Sequence, residues 1–69
     1  MTLSARNRLA GTVTSVETSD LMAEVVVELG DGQEVTATIT RNSAERLGLS
    51  EGDTVSAVVK ATEVMVETE

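Results

Sequence analysis

The sequence predicts a single all-β domain of five short strands, with one short helix between the third and the fourth strand. Two observations carry this prediction. Apolar residues alternate with polar ones along most of the chain, which is typical of strands that bury one face. The alternation is interrupted once, by a short segment that contains helix-capping residues. The 69 residues contain no linker, repeat or low-complexity run, so we expect one domain over residues 1–69.

The strands are predicted from their apolar positions. The inward-facing residues are expected to be Leu9, Gly11 and Val13 in the first strand, Leu21, Ala23, Val25, Val27 and Leu29 in the second, Val35, Ala37 and Ile39 in the third, and Val55, Ala57 and Val59 in the fourth. A short fifth strand is predicted over residues 63–66. The stretches ETSD at 17–20 and GDGQ at 30–33 are the predicted tight turns, and the glycines of the second can supply positive φ.

The helix is predicted over residues 42–47. Asn42 is a residue type that caps helices, and Glu45 follows it at the spacing of a capping box. Gly48 stands just after the last helical residue, where helices commonly end. Gly52 and Asp53 then indicate a turn into the fourth strand. Three strands, a short helix and two further strands are the element order of a five-stranded OB-like barrel.

A domain this small is expected to need support from a partner. A single core of this size rarely supplies more than about 3–5 kcal/mol of stability, and the chain has neither cysteine for a disulfide nor aromatic residues for the core. Apolar residues also occur among the outward positions, namely Met22, Val26, Val58 and Met65. They predict a subunit interface and therefore a homo-oligomer. Scattered surface hydrophobic residues are the alternative.

Charge and composition argue against several classes of function. A net charge of −7 and the absence of aromatic residues disfavour nucleic-acid binding, which needs a basic surface and stacking platforms. The sequence has neither a secretory signal nor 18 consecutive apolar residues, so we expect no membrane association and a cytoplasmic location. Without histidine or cysteine, we expect neither a transition-metal cation site nor catalytic residues, and hence no enzyme.

The few basic residues stand close to hydroxyl groups. Arg6 and Arg8 follow Ser4, and Lys60 precedes Thr62. A small oxyanion is bound by one or two cations together with hydroxyl and backbone N–H donors. The candidate set is Ser4, Arg6 and Lys60 with the backbone of Ala5, Ala61 and Thr62. Alternatively, the cations neutralise nearby carboxylates, as isolated basic residues usually do. The residues alone leave both interpretations open.

Four stretches of the chain form a combined pattern. They are SARN-x-L-x-G at 4–11, AEVVVEL at 23–29, LGLSEGD at 47–53 and AVVKATEVM at 57–65. Together they cover almost the whole chain and resemble the molbindins, the small Mop-type molybdate-binding proteins whose repeat is also the TOBE domain. SARN and KATEVM at this separation are the specific part, because valine-rich strands occur in many barrels. The resemblance implies an OB-like fold, and a hexamer assembled as a trimer of dimers.

The resemblance also implies a ligand and the residues that bind it. The ligand is molybdate or tungstate, bound at subunit interfaces without an organic cofactor. The main oxyanion site maps onto Ser4, Ala5, Arg6, Lys60, Ala61 and Thr62. Many relatives have serine where this chain has Ala61, so that hydroxyl is absent here and the backbone N–H remains. A second site on a symmetry axis maps onto Asn7, Ser19 and Asp20, and we expect its acidic loop to weaken it.

The sequence therefore predicts reversible binding of molybdate or tungstate for intracellular molybdenum storage or homeostasis. Two alternatives stay open. One is a structural or interaction module, a β-barrel that presents a surface to a protein partner. The other is a molybdate-responsive sensor that acts through such a partner.

Overall fold

A computed structural model describes residues 7–69 and shows an open antiparallel sheet of four strands. The elements are β1 (Asn7–Thr18), β2 (Met22–Leu29), β3 (Glu34–Thr40), the helix α1 (Arg41–Leu47), β4 (Thr54–Val59) and a 3₁₀ turn (Ala61–Glu63). The strand order in the sheet is β3-β2-β1-β4, and every pairing is antiparallel. Consequently β3 and β4 are the two edges of the sheet.

One face of the sheet carries the core. Val13, Val25 and Val27 are buried and pack together. Partly buried apolar residues from the other strands and from the segment after the helix pack against them, namely Val16, Leu29, Ile39, Leu49 and Val55. Full burial of an aliphatic side chain of this size contributes about 1.5–3 kcal/mol. The alternation predicted for the second, third and fourth strands is thereby confirmed, except at Leu21.

A bulge in β1 changes which of its residues face the core. Val13 lies opposite Val27, but the next paired residue of β1 is Ser15, which lies opposite Val26. The extra residue, Thr14, shifts the alternation by one position. As a result Val16, which strict alternation from Val13 would place on the outer face, packs against the core.

The predicted fifth strand over residues 63–66 is wrong. Glu63 belongs to the 3₁₀ turn, and no strand is present after β4 in the described part of the chain. The alternation there resembles that of a strand, but a strand also needs a neighbour to satisfy its backbone hydrogen bonds. Neither edge of the sheet receives this segment, and Val64, Met65 and Val66 are 50%, 93% and 90% exposed.

Because residues 7–69 contain four strands and no fifth, the sheet is an open, curled half-barrel rather than the predicted five-stranded OB-like barrel. An apolar groove of about 570 Å³ lies between the two edges. Its lining comes from both edge strands and from the end of α1, with Val35, Ala37, Ile39, Leu47, Val55 and Val59 among its residues. Much of the surface that a closed barrel would bury is therefore accessible in the single chain.

The turns differ from the prediction at one position. The GDGQ turn is confirmed between β2 and β3, with Gly32 at φ 88°. The first connection, predicted at 17–20, lies at residues 19–21, because β1 continues to Thr18. Leu21 consequently lies in that turn, where it is 77% exposed, instead of facing the core.

The predicted helix is confirmed, but it starts one residue earlier. Thr40, rather than Asn42, is the N-cap, since the Ser43 N–H donates to Thr40 Oγ1 at 3.0 Å. Gly48 ends the helix in the left-handed region at φ 65°, as predicted. Within residues 7–69, no helix has the length and apolar character that a membrane span requires.

Carboxylates face one another on the outer side of the sheet. Glu17 lies opposite Glu24 across β1 and β2, and Glu28 lies opposite Glu34 across β2 and β3. All four are exposed. Like charges directly opposite each other destabilise a sheet, and the only ion pair within residues 7–69 lies on α1. This side of the sheet therefore carries negative charge that no ion pair in the described part offsets.

Gly11→Ala is expected to destabilise the protein by about 1–3 kcal/mol, the usual effect of overpacking. A Cβ at Gly11 would lie 2.5 Å from the carbonyl oxygen of Glu28 and 2.6 Å from Cγ1 of Val27. The carbonyl is held in the β2 backbone and cannot move aside as a side chain can. Urea unfolding measures the effect. Gly30→Ala is the control, because its Cβ would meet no atom within 4 Å, and an equal loss in both variants would contradict the steric explanation.

Glu24→Gln is expected to stabilise the protein by about 0.2–1 kcal/mol at low salt, because it removes repulsion from Glu17. The gain should shrink as salt shortens the screening length. The measurement is urea unfolding at several salt concentrations, with protein concentration held fixed. Glu51→Gln, at an exposed turn position outside the sheet, removes the same charge. If both variants gained equally, total charge rather than the opposed pair would be the cause.

Candidate functional site

The pairing of β1 with β4 brings the two predicted site segments to one end of the sheet. Asn7, the first residue of β1, lies opposite Val59, the last residue of β4. Lys60 follows Val59 directly, and Arg6 precedes Asn7 in the sequence. The predicted site residues Ser4, Ala5 and Arg6 lie outside the described residues. The described part of the site consists of the Lys60 segment (residues 60–62) and Asn7.

Lys60 is an exposed cation with no carboxylate beside it in the part of the chain that the structure describes. It follows the edge strand β4. Across residues 7–69 the only ion pair joins Arg41 to Glu45, with Nε and Oε2 3.6 Å apart. Lys60 and Arg8 therefore have no carboxylate within 4.0 Å in that range. For these two cations the geometry does not support the interpretation that they neutralise neighbouring carboxylates, and Lys60 remains accessible to an anion from solution.

The 3₁₀ turn after Lys60 presents backbone donors next to this cation. The turn is closed by the Glu63 N–H, which donates to the Lys60 carbonyl at 2.9 Å. The first amides of a helical turn have no acceptor inside it. Accordingly, among residues 7–69 the amides of Ala61 and Thr62 donate to no carbonyl outside their turn. Three consecutive residues thus carry a cation, two amides and one hydroxyl, and all three are exposed: Lys60, Ala61 and Thr62.

Asn7 joins the two strands at this end of the sheet. Its Nδ2 donates to the carbonyl oxygen of Val59 at 3.2 Å, and the side chain is half-buried. The sequence analysis assigned Asn7 to a second site with Ser19 and Asp20. Within one chain these residues are separated by the whole of β1, which is 12 residues long. Within one chain Asn7 therefore lies beside the Lys60 segment and apart from the other two, and the second site on a symmetry axis stays a prediction.

Ser19 and Asp20 lie in the turn between β1 and β2. The Met22 N–H donates to Ser19 Oγ at 3.3 Å, so the turn already uses this hydroxyl. The guanidinium of Arg41 donates from Nη1 to the Ser19 carbonyl at 3.4 Å and also pairs with Glu45. Arg41 is thus a cation in direct contact with this turn. Sequence reasoning did not single it out.

The signal for Arg41 was present in the strand register. Met22 lies opposite Thr40 across β2 and β3. Because β2 and β3 pair on either side of the GDGQ turn, their register places residue 41, just after β3, beside the turn that precedes β2. The Arg41 amide indeed donates to the Leu21 carbonyl at 2.8 Å.

Two carboxylates lie beside the turn that contains Ser19 and Asp20. Glu17 and Glu24 line the same shallow depression as Ser19. Their charges oppose the approach of an anion to the turn. Residues 7–69 contain no cluster of carboxylates arranged to hold a metal cation.

Comparisons with known proteins give a consistent family. The model of the TOBE domain matches residues 3–66, which include both segments of the main candidate site. Molybdenum-pterin-binding protein 3 of Clostridium pasteurianum is 46% identical over 66 residues, with 96% of this chain and 97% of that protein covered.

Solved structures agree with this match. The molybdate-binding protein of Sporomusa ovata superposes with a TM-score of 0.92 at 41% identity, over 99% of this chain and 100% of that one. The cytoplasmic molybdate-binding protein ModG, determined with molybdate bound, gives a TM-score of 0.83 at 46% identity. That match covers 88% of this chain and 43% of ModG.

Proposed function

Since this chain is a Mop-type molbindin of the TOBE domain family, we propose that it binds molybdate or tungstate reversibly in the cytoplasm, for molybdenum storage or homeostasis. The observation that carries the proposal is Lys60, an exposed cation with no carboxylate partner in the described range. The two amides directly after it donate to no carbonyl outside their turn among residues 7–69. Relatives that are molybdate-binding proteins support the choice of anion. The proposed activity is binding and not catalysis.

The proposed main site combines the Lys60 segment with the residues before Asn7. Its members are Ser4, Ala5, Arg6, Lys60, Ala61 and Thr62. Arg6 and Lys60 would offset the two negative charges of the oxyanion, while hydroxyl and amide donors hold its oxygens. Hydrogen bonds to charged groups contribute about 1.5–3 kcal/mol each, so a few of them suffice for useful affinity after the cost of desolvation.

Selectivity in this proposal comes from size. Molybdate, tungstate and sulfate are tetrahedral dianions with the same charge, so the spacing of the donors has to distinguish them. Molybdate and tungstate are larger than sulfate and nearly equal to each other. The site should therefore discriminate strongly against sulfate and weakly between the two larger anions.

We propose the bare oxyanion as the ligand, without an organic cofactor, although the Clostridium relative is named a molybdenum-pterin-binding protein. Sites for planar heterocycles are mostly lined by apolar and aromatic side chains, with a few polar groups that fix orientation. This chain has no aromatic residue. A cation followed by two amides and a hydroxyl matches the oxygens of a small anion instead.

The open groove supports a homo-oligomer. Within residues 7–69 each edge strand pairs with one strand only, and an exposed edge of this kind readily pairs with another chain. The exposed segment Val64–Val66 has apolar residues and follows β4 closely. In our proposal this segment of a second copy occupies the groove and completes an OB-like barrel. Lys60 to Thr62 lead into the segment, so the main site would lie at the subunit interface.

Further assembly into a hexamer, as a trimer of dimers, would use the outward apolar residues. Met22 and Val58 are 40% and 45% exposed on the outer side of the sheet. Burial of such residues is the most direct source of the stability that a 69-residue chain lacks on its own.

Lys60→Ala is expected to weaken molybdate binding about 10- to 100-fold, because it removes one charged donor. Arg6→Ala should do the same. Isothermal titration calorimetry measures the affinity, with sulfate and a pterin as comparison ligands at equal ionic strength. The control is Arg46→Ala, which removes an exposed cation in the last turn of α1, a helix that packs against β2 and β3, and should leave the affinity within about twofold.

Equal losses in Lys60→Ala and Arg46→Ala would contradict a local role for Lys60. If calorimetry detected no binding of any ligand to protein shown to be folded and assembled, the result would contradict the proposed function and favour the interaction module. A partner protein whose binding changes with molybdate would instead identify a sensor.

Deletion of residues 64–69 is expected to convert the oligomer to monomers and to lower the urea midpoint. The deletion removes the apolar segment proposed to fill the neighbouring groove, while β1 to β4 remain. Size-exclusion chromatography with light scattering measures the mass. Deletion of residues 67–69 alone is the control, since it removes two glutamates and one threonine but keeps Val64 to Val66. An unchanged mass after the longer deletion would exclude this segment as the occupant.

A further inference from the structure

We propose that Asn7 is a positioning residue for the oxyanion site, acting through the carbonyl of Val59. The inference rests on the proposed function, because it assigns a role within that site. It starts from one hydrogen bond, in which Asn7 Nδ2 donates to the Val59 oxygen at 3.2 Å. Asn7 and Val59 also form the outermost pair of the described ladder between β1 and β4.

The acceptor of this bond belongs to the peptide unit that begins the Lys60 segment. The Val59 carbonyl and the Lys60 N–H are parts of one planar peptide group. A bond that fixes the carbonyl therefore also fixes the plane from which Lys60 leaves β4. The donor stands one residue after Arg6. The side-chain bond thus adds to the ladder pairing of Asn7 with Val59 and reinforces the two backbone positions from which both halves of the proposed site extend.

The identity of residue 7 is unusual for its place in the sheet. It lies opposite Val59, which lines the apolar groove, and directly opposite residues of an antiparallel pair share a face. A β-branched apolar residue would suit a half-buried strand position better, since asparagine is depleted in strands. The hydrogen bond to Val59 gives a physical reason for an amide there.

The benefit of the bond is preorganisation. The ends of strands open more readily than their middles, and this pair is the last one in the described ladder. Without the side-chain bond, the Lys60 segment would be less ordered before the anion binds, and the cost of ordering it would reduce affinity. Asn7 needs no contact with the anion to have this effect.

The test compares Asn7→Leu, which keeps a similar volume but cannot donate, with Asn7→Gln, which keeps an amide donor. Asn42→Ala is the control, because Asn42 is an exposed asparagine in α1. Three quantities are measured: molybdate affinity by calorimetry, the urea midpoint, and hydrogen exchange of the amides of residues 60–62 without ligand. The exchange measurement needs no anion and reports directly on the order of the Lys60 segment.

For Asn7→Leu we expect molybdate binding about 3- to 10-fold weaker, faster exchange at residues 60–62, and a urea midpoint close to that of the unaltered protein. Asn7→Gln should recover part of the affinity, and Asn42→Ala should change none of the three. Unchanged affinity or unchanged exchange in Asn7→Leu would overturn the positioning role while the proposed function stands. Absence of binding in the unaltered protein would overturn the proposed function and, with it, the role of Asn7.

Discussion

The structure depends on the double pairing of β1. Residues 7–12 of this strand pair with β4 and residues 11–18 pair with β2, so only Gly11 and Thr12 have a partner strand on both sides. β2 and β4 each pair directly with β1, and β3 joins the sheet through its pairing with β2. The backbones can approach closely at Gly11 because it has no Cβ. One long strand thus joins the hairpin of β2 and β3 to β4 and to the segment that follows it.

This arrangement places the candidate site at the weakest end of the sheet. Before Gly11, β1 is paired only with β4, so the sheet is two strands wide there. An isolated two-stranded ribbon is marginally stable in water. A binding site at such an end can be ordered by its ligand, by a second subunit or by local hydrogen bonds such as that of Asn7. In the proposed function, stability, assembly and anion binding are consequently coupled through the same few backbone units.

Local patterns predicted most of the strands and the helix well, but they did not predict that the sheet stays open. Alternation identified β2, β3 and β4, and capping residues identified α1, since both are properties of neighbouring residues. The fifth strand failed because pairing depends on a partner, which the sequence of Val64 to Val66 does not reveal. For the site, residue chemistry left Lys60 between two interpretations. The absence of a carboxylate within 4.0 Å of it in the described range argues against charge neutralisation, and the oxyanion site stays a prediction. Arg41 escaped notice because its proximity to Ser19 follows from strand register and not from any motif.

The net charge of −7 does not conflict with an anionic ligand. At physiological ionic strength charges are screened over about 8 Å, so distant carboxylates add little to the potential at the site. In the proposed site, contacts at hydrogen-bond distance from Lys60 and the amides of Ala61 and Thr62 would be screened far less. The opposed glutamates of the outer face instead determine how strongly the stability of the sheet responds to salt. In this proposal local donors therefore determine which ligand binds, and the net charge affects the rate of approach and its salt dependence.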